Sequence, residues 1–195
     1  MKNIFKAIAM FMVSYTTITA ADTLVIGCRP WDENIQTVNG LSQAHFVDFR
    51  ADGAPVEAPN FHHLDLNDAE TFSAGKFSEF AAQATEQYKT IIIDWITYQH
   101  ISRDKTWRDF FNLLGEGGKL IVPITLFYCG KPASEEGART VVSHKLEEIG
   151  FKSIEIFSHD AIIDDKDFAL LTQDRGGGML GAMLSFKPAI IIASK

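Results

Sequence analysis

The chain has 195 residues, of which 46% are hydrophobic and 22% are charged, and its formal net charge is -7 at pH 7. This length and composition favour one folded domain with its own core and exclude a largely disordered chain. The acidic balance argues against a nonspecific nucleic-acid binder, which needs a basic surface.

The first 21 residues have the pattern of a secretory signal peptide. Lys2 and Lys6 precede an apolar run over residues 7–13, and small residues surround Ala20. This pattern predicts export, and therefore a secreted or periplasmic protein. The run is too short for a transmembrane helix and no lipoprotein cysteine directly follows it, so a stable membrane anchor is not expected. The alternative is an amphipathic first helix of a cytoplasmic protein.

Residues 22–195 predict a single α/β domain. Short runs of β-branched and other apolar residues, without polar alternation, are typical of strands that are buried on both faces of a parallel sheet. Seven such runs predict strands at residues 23–26, 44–49, 61–65, 89–93, 119–122, 153–157 and 188–193, with residues 168–171 as a further candidate.

Amphipathic stretches between these strands predict helices over residues 69–88, 104–114 and 134–149, and a first crossover helix is expected within residues 29–43. The aromatic and aliphatic stripes of these helices are interpreted as core. Gly115 is the expected C-cap of the 104–114 helix, and Gly150 is expected to end the 134–149 helix. Alternating strands and helices predict right-handed βαβ units, and hence a mostly parallel seven-stranded sheet with helices on both faces.

The stretch from residue 89 to residue 124 resembles the second half of class I S-adenosylmethionine-dependent methyltransferases. An apolar strand leads to the pair His100-Ile101, then to the 104–114 helix, the turn Leu-Leu-Gly-Glu-Gly-Gly over residues 113–118 and another apolar strand. The likeness covers most of the chain after residue 22. It implies a Rossmann-like methyltransferase fold with S-adenosylmethionine as the cofactor.

The resemblance also implies which residues hold the cofactor. Gly27 fits the first glycine of the turn after the first strand, where the backbone must approach the cofactor closely. Asp48, Asp65 and Asp94 come at or near the ends of the second, third and fourth strands, where open α/β sheets bind ligands. A carboxylate at a strand end is also a common helix cap, so a purely structural role is the alternative for each of them.

The chain departs from the family in the turn after Gly27. Arg29 and Trp31 replace the glycines that follow in the family, and Pro30 restricts the loop further. The departure puts the cofactor site in doubt and leaves two functions open. The first is a methyltransferase with an unknown acceptor, whose acceptor side is lined by Asp94 and His100.

The second function is an exported, catalytically inactive methyltransferase-like domain that acts as a binding or interaction module. The altered turn favours it, and so does the export pattern, because the cofactor is made in the cytosol. Another α/β enzyme, such as a hydrolase with a site at the same edge of the sheet, is a third hypothesis. No G-x-S-x-G motif supports it.

Three further motifs receive structural interpretations. His62 and His63 are neighbours on a strand and point to opposite faces, so they are not expected to bind one metal ion together. The acidic cluster at residues 164–167 lacks the spacing of a calcium loop and predicts a solvated loop. The glycines at 176–178 lack the lysine of a phosphate-binding loop and suggest a mobile flap or an interaction surface.

Cys28 and Cys129 are the two cysteines of the chain, and they show no metal-ligand spacing. We expect two buried thiols, because cysteine is among the most buried residue types. A disulfide between them is the alternative for an exported protein.

Overall fold

A computed structural model describes residues 22–31, 41, 43–84, 87–93, 101, 103–124, 135–158 and 189–195. The strands are β1 (Thr23–Ile26), β2 (His45–Asp48), β3 (Phe61–Asp65), β4 (Gly75–Lys76), β5 (Tyr88–Ile93), β6 (Leu114–Ile124), β7 (Ser153–Ser158) and β8 (Ala189–Ser194). The helices are α1 (Phe77–Gln83), α2 (Asp104–Leu113) and α3 (Glu135–Ile149). The predicted signal peptide and the predictions for Asp94, His100, Cys129 and residues 164–178 lie outside the described residues.

The strands form one sheet in the order β4-β3-β2-β1-β5-β6-β8-β7. Every neighbouring pair from β4 to β6 is parallel, whereas β8 runs antiparallel to both β6 and β7. The predicted Rossmann-like, mostly parallel sheet is therefore confirmed. Within the described residues the sheet has eight strands instead of the predicted seven, because the two-residue strand β4 adds to the outer side of β3.

Alternate residues of the central strands supply two layers of core. Leu24 and Ile26 of β1 belong to one buried cluster, against which the aromatic and aliphatic side chains of α1, α2 and α3 pack. Val25 belongs to a second cluster on the opposite face, together with Phe46 and the buried Cys28. Burial on both faces explains why the strand sequences are continuously apolar. All three described helices pack against the first face, so a helix on the second face stays a prediction.

The predicted helix over residues 69–88 is wrong in most of its length. Thr71–Ser73 form a 3-10 turn, β4 follows, and the helix occupies only Phe77–Gln83. Asp68, Glu70, Phe72 and Ser73 have φ between 53° and 60°, which is left-handed backbone that cannot continue a right-handed helix. Phe72, expected in the core stripe, is 72% exposed.

The end of α2 also differs from its prediction. The helix ends at Leu113, its C-cap Leu114 is extended, and Gly115 already belongs to β6. The ammonium of Lys195 donates to the carbonyl oxygens of Phe111 and Leu114 at 2.9 and 2.7 Å. A cation near the last carbonyls of a helix stabilises them, so Lys195 takes the place of the expected glycine cap.

The glycine turn predicted over residues 115–118 is an insertion within a strand. The register of β5 on β6 moves from the pair Tyr88 and Leu114 directly to the pair Thr90 and Lys119. Four residues of β6 therefore stand opposite a single residue of β5, as in an enlarged β-bulge. Gly117 has a φ of 72°, which glycine adopts without strain.

The predicted end of α3 is confirmed. Gly150 has a φ of 121°, and its N–H donates to the carbonyl oxygens of Leu146 and Glu147. The N–H of Phe151 donates to Leu146 as well. This is the left-handed glycine cap that the sequence predicted.

None of the helices within the described residues is long and apolar enough to cross a membrane.

Candidate functional site

The carboxyl ends of β1, β2 and β3 lie side by side, because the three strands are parallel neighbours. Gly27 follows β1, Asp48 ends β2 and Asp65 ends β3. The structure thus brings three of the four predicted cofactor residues to one edge of the sheet. Asp94, the fourth, lies outside the described residues.

Gly27 joins the turn after β1 to the end of β2. Its N–H donates to the carbonyl oxygen of Val47 at 2.7 Å, and its φ is 92°. An L side chain is strained at this φ, so the turn requires glycine here. A cofactor role for Gly27 stays a prediction.

Asp48 is buried, and its carboxylate is bound by Arg50. Oδ1 accepts from the backbone N–H of Arg50 at 2.8 Å, and Oδ2 accepts from the guanidinium Nη2 at 3.0 Å. The Nε–H of Arg50 reaches Oδ1 at 3.3 Å. The acidic group predicted to bind the cofactor is thus present at the strand end, paired with an arginine of its own loop.

Asp65 supports the loop after β3. Its Oδ1 accepts from the N–H of Asn67 at 2.9 Å and its Oδ2 accepts from the N–H of Thr71 at 3.1 Å. A carboxylate that accepts from the backbone two residues later is typical of an Asx turn. This geometry matches the structural alternative for Asp65, and a ligand role for it stays a prediction.

Arg29 and Trp31, which replace the expected glycines, attach the turn after β1 to the loop after β2. Nη1 of Arg29 lies 2.6 Å from Oδ2 of Asp52, and the indole N–H of Trp31 donates to the Asp52 carbonyl oxygen at 3.2 Å. The hydrogen bond from Arg29 lowers the pKa of the Asp52 carboxyl. Trp31 also packs edge-on against Phe61, with ring centroids 4.6 Å apart.

An exposed aromatic pair lies beside Asp48 and was not predicted. Phe49 stacks on Phe72, with ring centroids 5.8 Å apart and an angle of 18° between the rings. These side chains are 38% and 72% exposed, whereas large apolar side chains are usually buried. Phe49 could have been noticed, because it directly follows the predicted Asp48. Phe72 could not, because it was assigned to the core of a helix.

Asp68 anchors the loop after β3, a structural role that the sequence did not single out. Its Oδ1 accepts from the N–H of Ser78 at 2.9 Å, and its Oδ2 forms an ion pair with Arg103, which precedes α2. Arg103 also donates to the carbonyl oxygen of Asn67 at 3.0 Å. Burial alone would raise the pKa of Asp68, but the hydrogen bonds from Ser78 and Arg103 outweigh it and lower the pKa. The pair fixes the loop after β3 against the start of α2.

A cleft of about 410 Å³ lies along β4 and is separate from this edge site. It is lined by Glu70, Ser73, Ala74, Gly75, Lys76 and Glu79. None of the predicted cofactor residues lines it, so the cleft is not the expected cofactor site.

No protein-family model matches the chain, and no curated protein matches its sequence. Spermidine synthase from Thermotoga maritima is similar in structure, with 13% identity and a TM-score of 0.51 over 89% of this chain and 53% of that chain. A chain of the fibrillarin/Nop5p complex has 14% identity and a TM-score of 0.51 over 88% of this chain and 70% of that chain.

A third similar structure is phosphoethanolamine N-methyltransferase 2 of Haemonchus contortus, solved with S-adenosylhomocysteine. It has 15% identity and a TM-score of 0.47 over 89% of this chain and 48% of its own length. The chain thus spans about half the length of this methyltransferase and of the spermidine synthase. With the strand order, the two structures at a TM-score of 0.51 show that the chain has a Rossmann-like methyltransferase fold.

Proposed function

We propose that this chain binds S-adenosylmethionine at the carboxyl edge of β1 and β2 and transfers its methyl group to an acceptor that is not yet identified. The observation that carries the proposal is the hydrogen bond from the Gly27 N–H to the Val47 carbonyl oxygen. This bond holds the turn after β1 against the end of β2, where the buried Asp48 lies. Ligands of open α/β sheets bind at this edge, and an acidic residue after the second strand suits a pair of ribose hydroxyls.

The residues at this edge fit the nucleoside part of the cofactor. Oδ2 of Asp48 is paired with the guanidinium of Arg50, whose side chain is 47% exposed and can turn towards solvent. Ribose hydroxyls could then donate to Oδ2, while the backbone N–H of Arg50 stays on Oδ1. The stacked rings of Phe49 and Phe72 offer an exposed aromatic surface on which a planar base could stack.

Bound S-adenosylmethionine would supply a methyl group that is already activated for transfer. The chain then has to bind, to orient an acceptor nucleophile and to exclude water. Gly27 and Asp48 would hold the cofactor, Asp48 through the ribose hydroxyls. Asp94 and His100 stay predictions for the acceptor side.

The second candidate function is a methyltransferase-like binding module without catalysis. Two observations favour it. Arg29 and Trp31 occupy the turn that the family keeps as glycine and attach it to Asp52. Arg50 already pairs with the Asp48 carboxylate. On this interpretation the Arg29–Asp52 pair joins the two loops in place of the cofactor and Arg50 occupies the Asp48 carboxylate. The predicted export is compatible with the loss of activity.

A thermal-shift titration with S-adenosylmethionine and S-adenosylhomocysteine tests the proposal. Ligand at a hundredfold excess over its dissociation constant adds about 2.7 kcal/mol to the unfolding free energy. For a chain of this size the melting temperature should then rise by roughly 2–4 °C. Asp48→Asn keeps the size of the side chain and an acceptor oxygen, and should abolish most of the shift.

Asp22→Asn is the matched control, because Asp22 lies at the opposite edge of the sheet in an exposed ion pair with Lys89. It should leave the ligand shift intact. A saturable shift that is sensitive only to Asp48→Asn supports a cofactor site and justifies an acceptor search. If millimolar ligand gives no shift, the cofactor proposal fails and the binding-module reading stands.

A further inference from the structure

We propose that His45, His62 and Tyr88 form a binding site for a divalent transition-metal cation of the zinc class. Nδ1 of His45 lies 3.0 Å from the phenolic oxygen of Tyr88 and 3.5 Å from Nε2 of His62. His45 and Tyr88 begin β2 and β5, so the cluster lies at the amino edge of these strands. The proposed cofactor site is at the opposite edge.

The strand register explains why the two imidazoles face each other. His62 of β3 pairs with Val47 of β2, and Val47 shares its face of the sheet with His45 two residues earlier. His63 points away, and its Nε2 lies 2.9 Å from the carbonyl oxygen of Phe49. Because side chains alternate along β3, His62 faces His45, whereas His63 points to the opposite face of the sheet.

The two distances from His45 Nδ1 to the other donors fit coordination to one ion. Zinc binds imidazole nitrogen at about 2.0–2.1 Å, and in a tetrahedron two such ligand atoms are then about 3.3 Å apart. The distances of 3.0 and 3.5 Å from His45 Nδ1 lie on either side of this value. Three protein donors leave one tetrahedral position for water or another ligand.

The Nδ1 of His45 is the central donor atom of this cluster. Nδ1 of an imidazole has either one proton or one lone pair to offer, yet the Nδ1 of His45 has two polar neighbours. A cation at the centre of the cluster would accept a lone pair from each imidazole and from the Tyr88 oxygen, whose phenolic proton would be released to solvent on binding. Imidazole suits zinc and copper ions, whereas magnesium and calcium prefer carboxylate and carbonyl oxygen.

The surroundings hold the donors in a half-buried position. Phe80 of α1 packs on the His62 ring, with centroids 4.8 Å apart, and Tyr88 is buried. No group of three or more His, Cys, Asp and Glu side chains converges in the part of the chain that the structure describes. His45 and His62 are only two such side chains, and the phenolic oxygen of Tyr88 is the proposed third ligand.

Calorimetric titration of the full chain, free of any purification tag, with Zn²⁺ tests the proposal, and Co²⁺ absorption reports the coordination geometry. We expect one equivalent of Zn²⁺ to bind and the Co²⁺ complex to have the intense bands of a tetrahedral site. His45→Gln and His62→Gln should each weaken binding by at least about tenfold. Tyr88→Phe removes only the phenolic oxygen and should weaken binding measurably.

His63→Gln and His144→Gln are the matched controls, the first on the same strand and the second exposed on α3. Both should leave the affinity within about twofold of the original. Equal losses in the controls, no effect of Tyr88→Phe, or no binding at millimolar Zn²⁺ would each overturn the three-donor site. The melting temperature of each metal-free variant establishes that it is folded. Asp48 takes no part in this site, so the result is independent of the cofactor titration.

Discussion

The guanidinium of Arg50 lies against the carboxylate of Asp48, two residues earlier in the chain, with Nη2 3.0 Å from Oδ2. The two partners differ sharply in burial, since the arginine side chain is 47% exposed and the aspartate side chain 1% exposed. A ligand hydroxyl that takes the position of the guanidinium on Oδ2 must displace it. Arg50 is therefore a competitor for the position at which ribose hydroxyls are proposed to bind.

Arg50→Ala should raise the affinity for S-adenosylhomocysteine by about two- to fivefold. An ion pair with one exposed partner contributes up to about 1 kcal/mol, and this contribution no longer opposes the ligand once the guanidinium is removed. Calorimetric titration measures the change. Arg108→Ala, at an exposed position of α2, is the control and should have no effect. A marked loss of affinity in Arg50→Ala would show instead that the guanidinium holds the ligand.

Gly118→Ala should lower the unfolding free energy by about 1–3 kcal/mol, because a Cβ at this position overpacks the bulge in β6. The added carbon would stand 2.9 Å from the Gly115 carbonyl oxygen and 3.1 Å from the Tyr88 carbonyl oxygen. Gly115→Ala is a matched control within the same bulge, since its nearest atoms would be 3.6 Å away. It should cost less than about 0.5 kcal/mol in urea unfolding. Equal costs at the two positions would contradict the bulge geometry.

The sequence was sufficient for the strands and insufficient for the segment after β3. Continuous apolar runs such as residues 89–93 mark strands that are covered on both faces, and their positions agree with the structure to within two residues, except that β6 is longer at both ends. The helical spacing of Phe72, Phe77 and Phe80 looked equally regular. The helix predicted from this spacing was wrong, because left-handed backbone at Asp68 and Phe72 cannot continue a right-handed helix. Neither residue type requires that conformation.

The candidate site was likewise only partly predictable from the sequence. Gly27 and Asp48 could be placed from the sequence, because each stands at the end of a recognisable strand and parallel strands end at one edge. Contacts made in three dimensions could not be placed. Phe49 stacks on Phe72, and His45 meets Tyr88, which is 43 residues away in the chain. Such pairs depend on register and loop path, which local periodicity does not encode.

Phe72→Asn should weaken the binding of S-adenosylhomocysteine and leave the unfolding free energy nearly unchanged. Phe72 is exposed and has a φ of 54°, a backbone conformation that asparagine tolerates better than phenylalanine. Relief of this strain offsets the lost stacking on Phe49, so the unfolding free energy should change by less than about 1 kcal/mol. Affinity for S-adenosylhomocysteine should fall at least fivefold, because an aromatic surface contributes about 1–3 kcal/mol per stacked base.

Val56→Asn is the control for this experiment, because Val56 is a fully exposed apolar residue of the loop after β2. It should change neither the stability nor the affinity. Unchanged affinity in Phe72→Asn would remove the aromatic pair from the proposed cofactor site, whereas a cooperative loss of stability would show that the pair supports the fold.

Asp68 should make the stability of the domain depend on pH in the acid range. Hydrogen bonds from Ser78 and Arg103 outweigh burial and hold its folded-state pKa below the ordinary value of 3.8. The folded state therefore binds this proton less readily than the unfolded state does, so the stabilisation is fully present above about pH 4 and is lost as the pH falls through the folded-state pKa. Asp68→Asn should cost about 1–2 kcal/mol at pH 7 in urea unfolding. The difference between the variant and the original chain should shrink below about pH 4.

Asp104→Asn is the control, because the Asp104 side chain is 72% exposed in an ion pair with Lys145. It should cost less than about 1 kcal/mol at pH 7. A difference for Asp68→Asn that stays constant down to about pH 2.5 would show that the carboxylate charge does not contribute to holding the loop after β3 against α2.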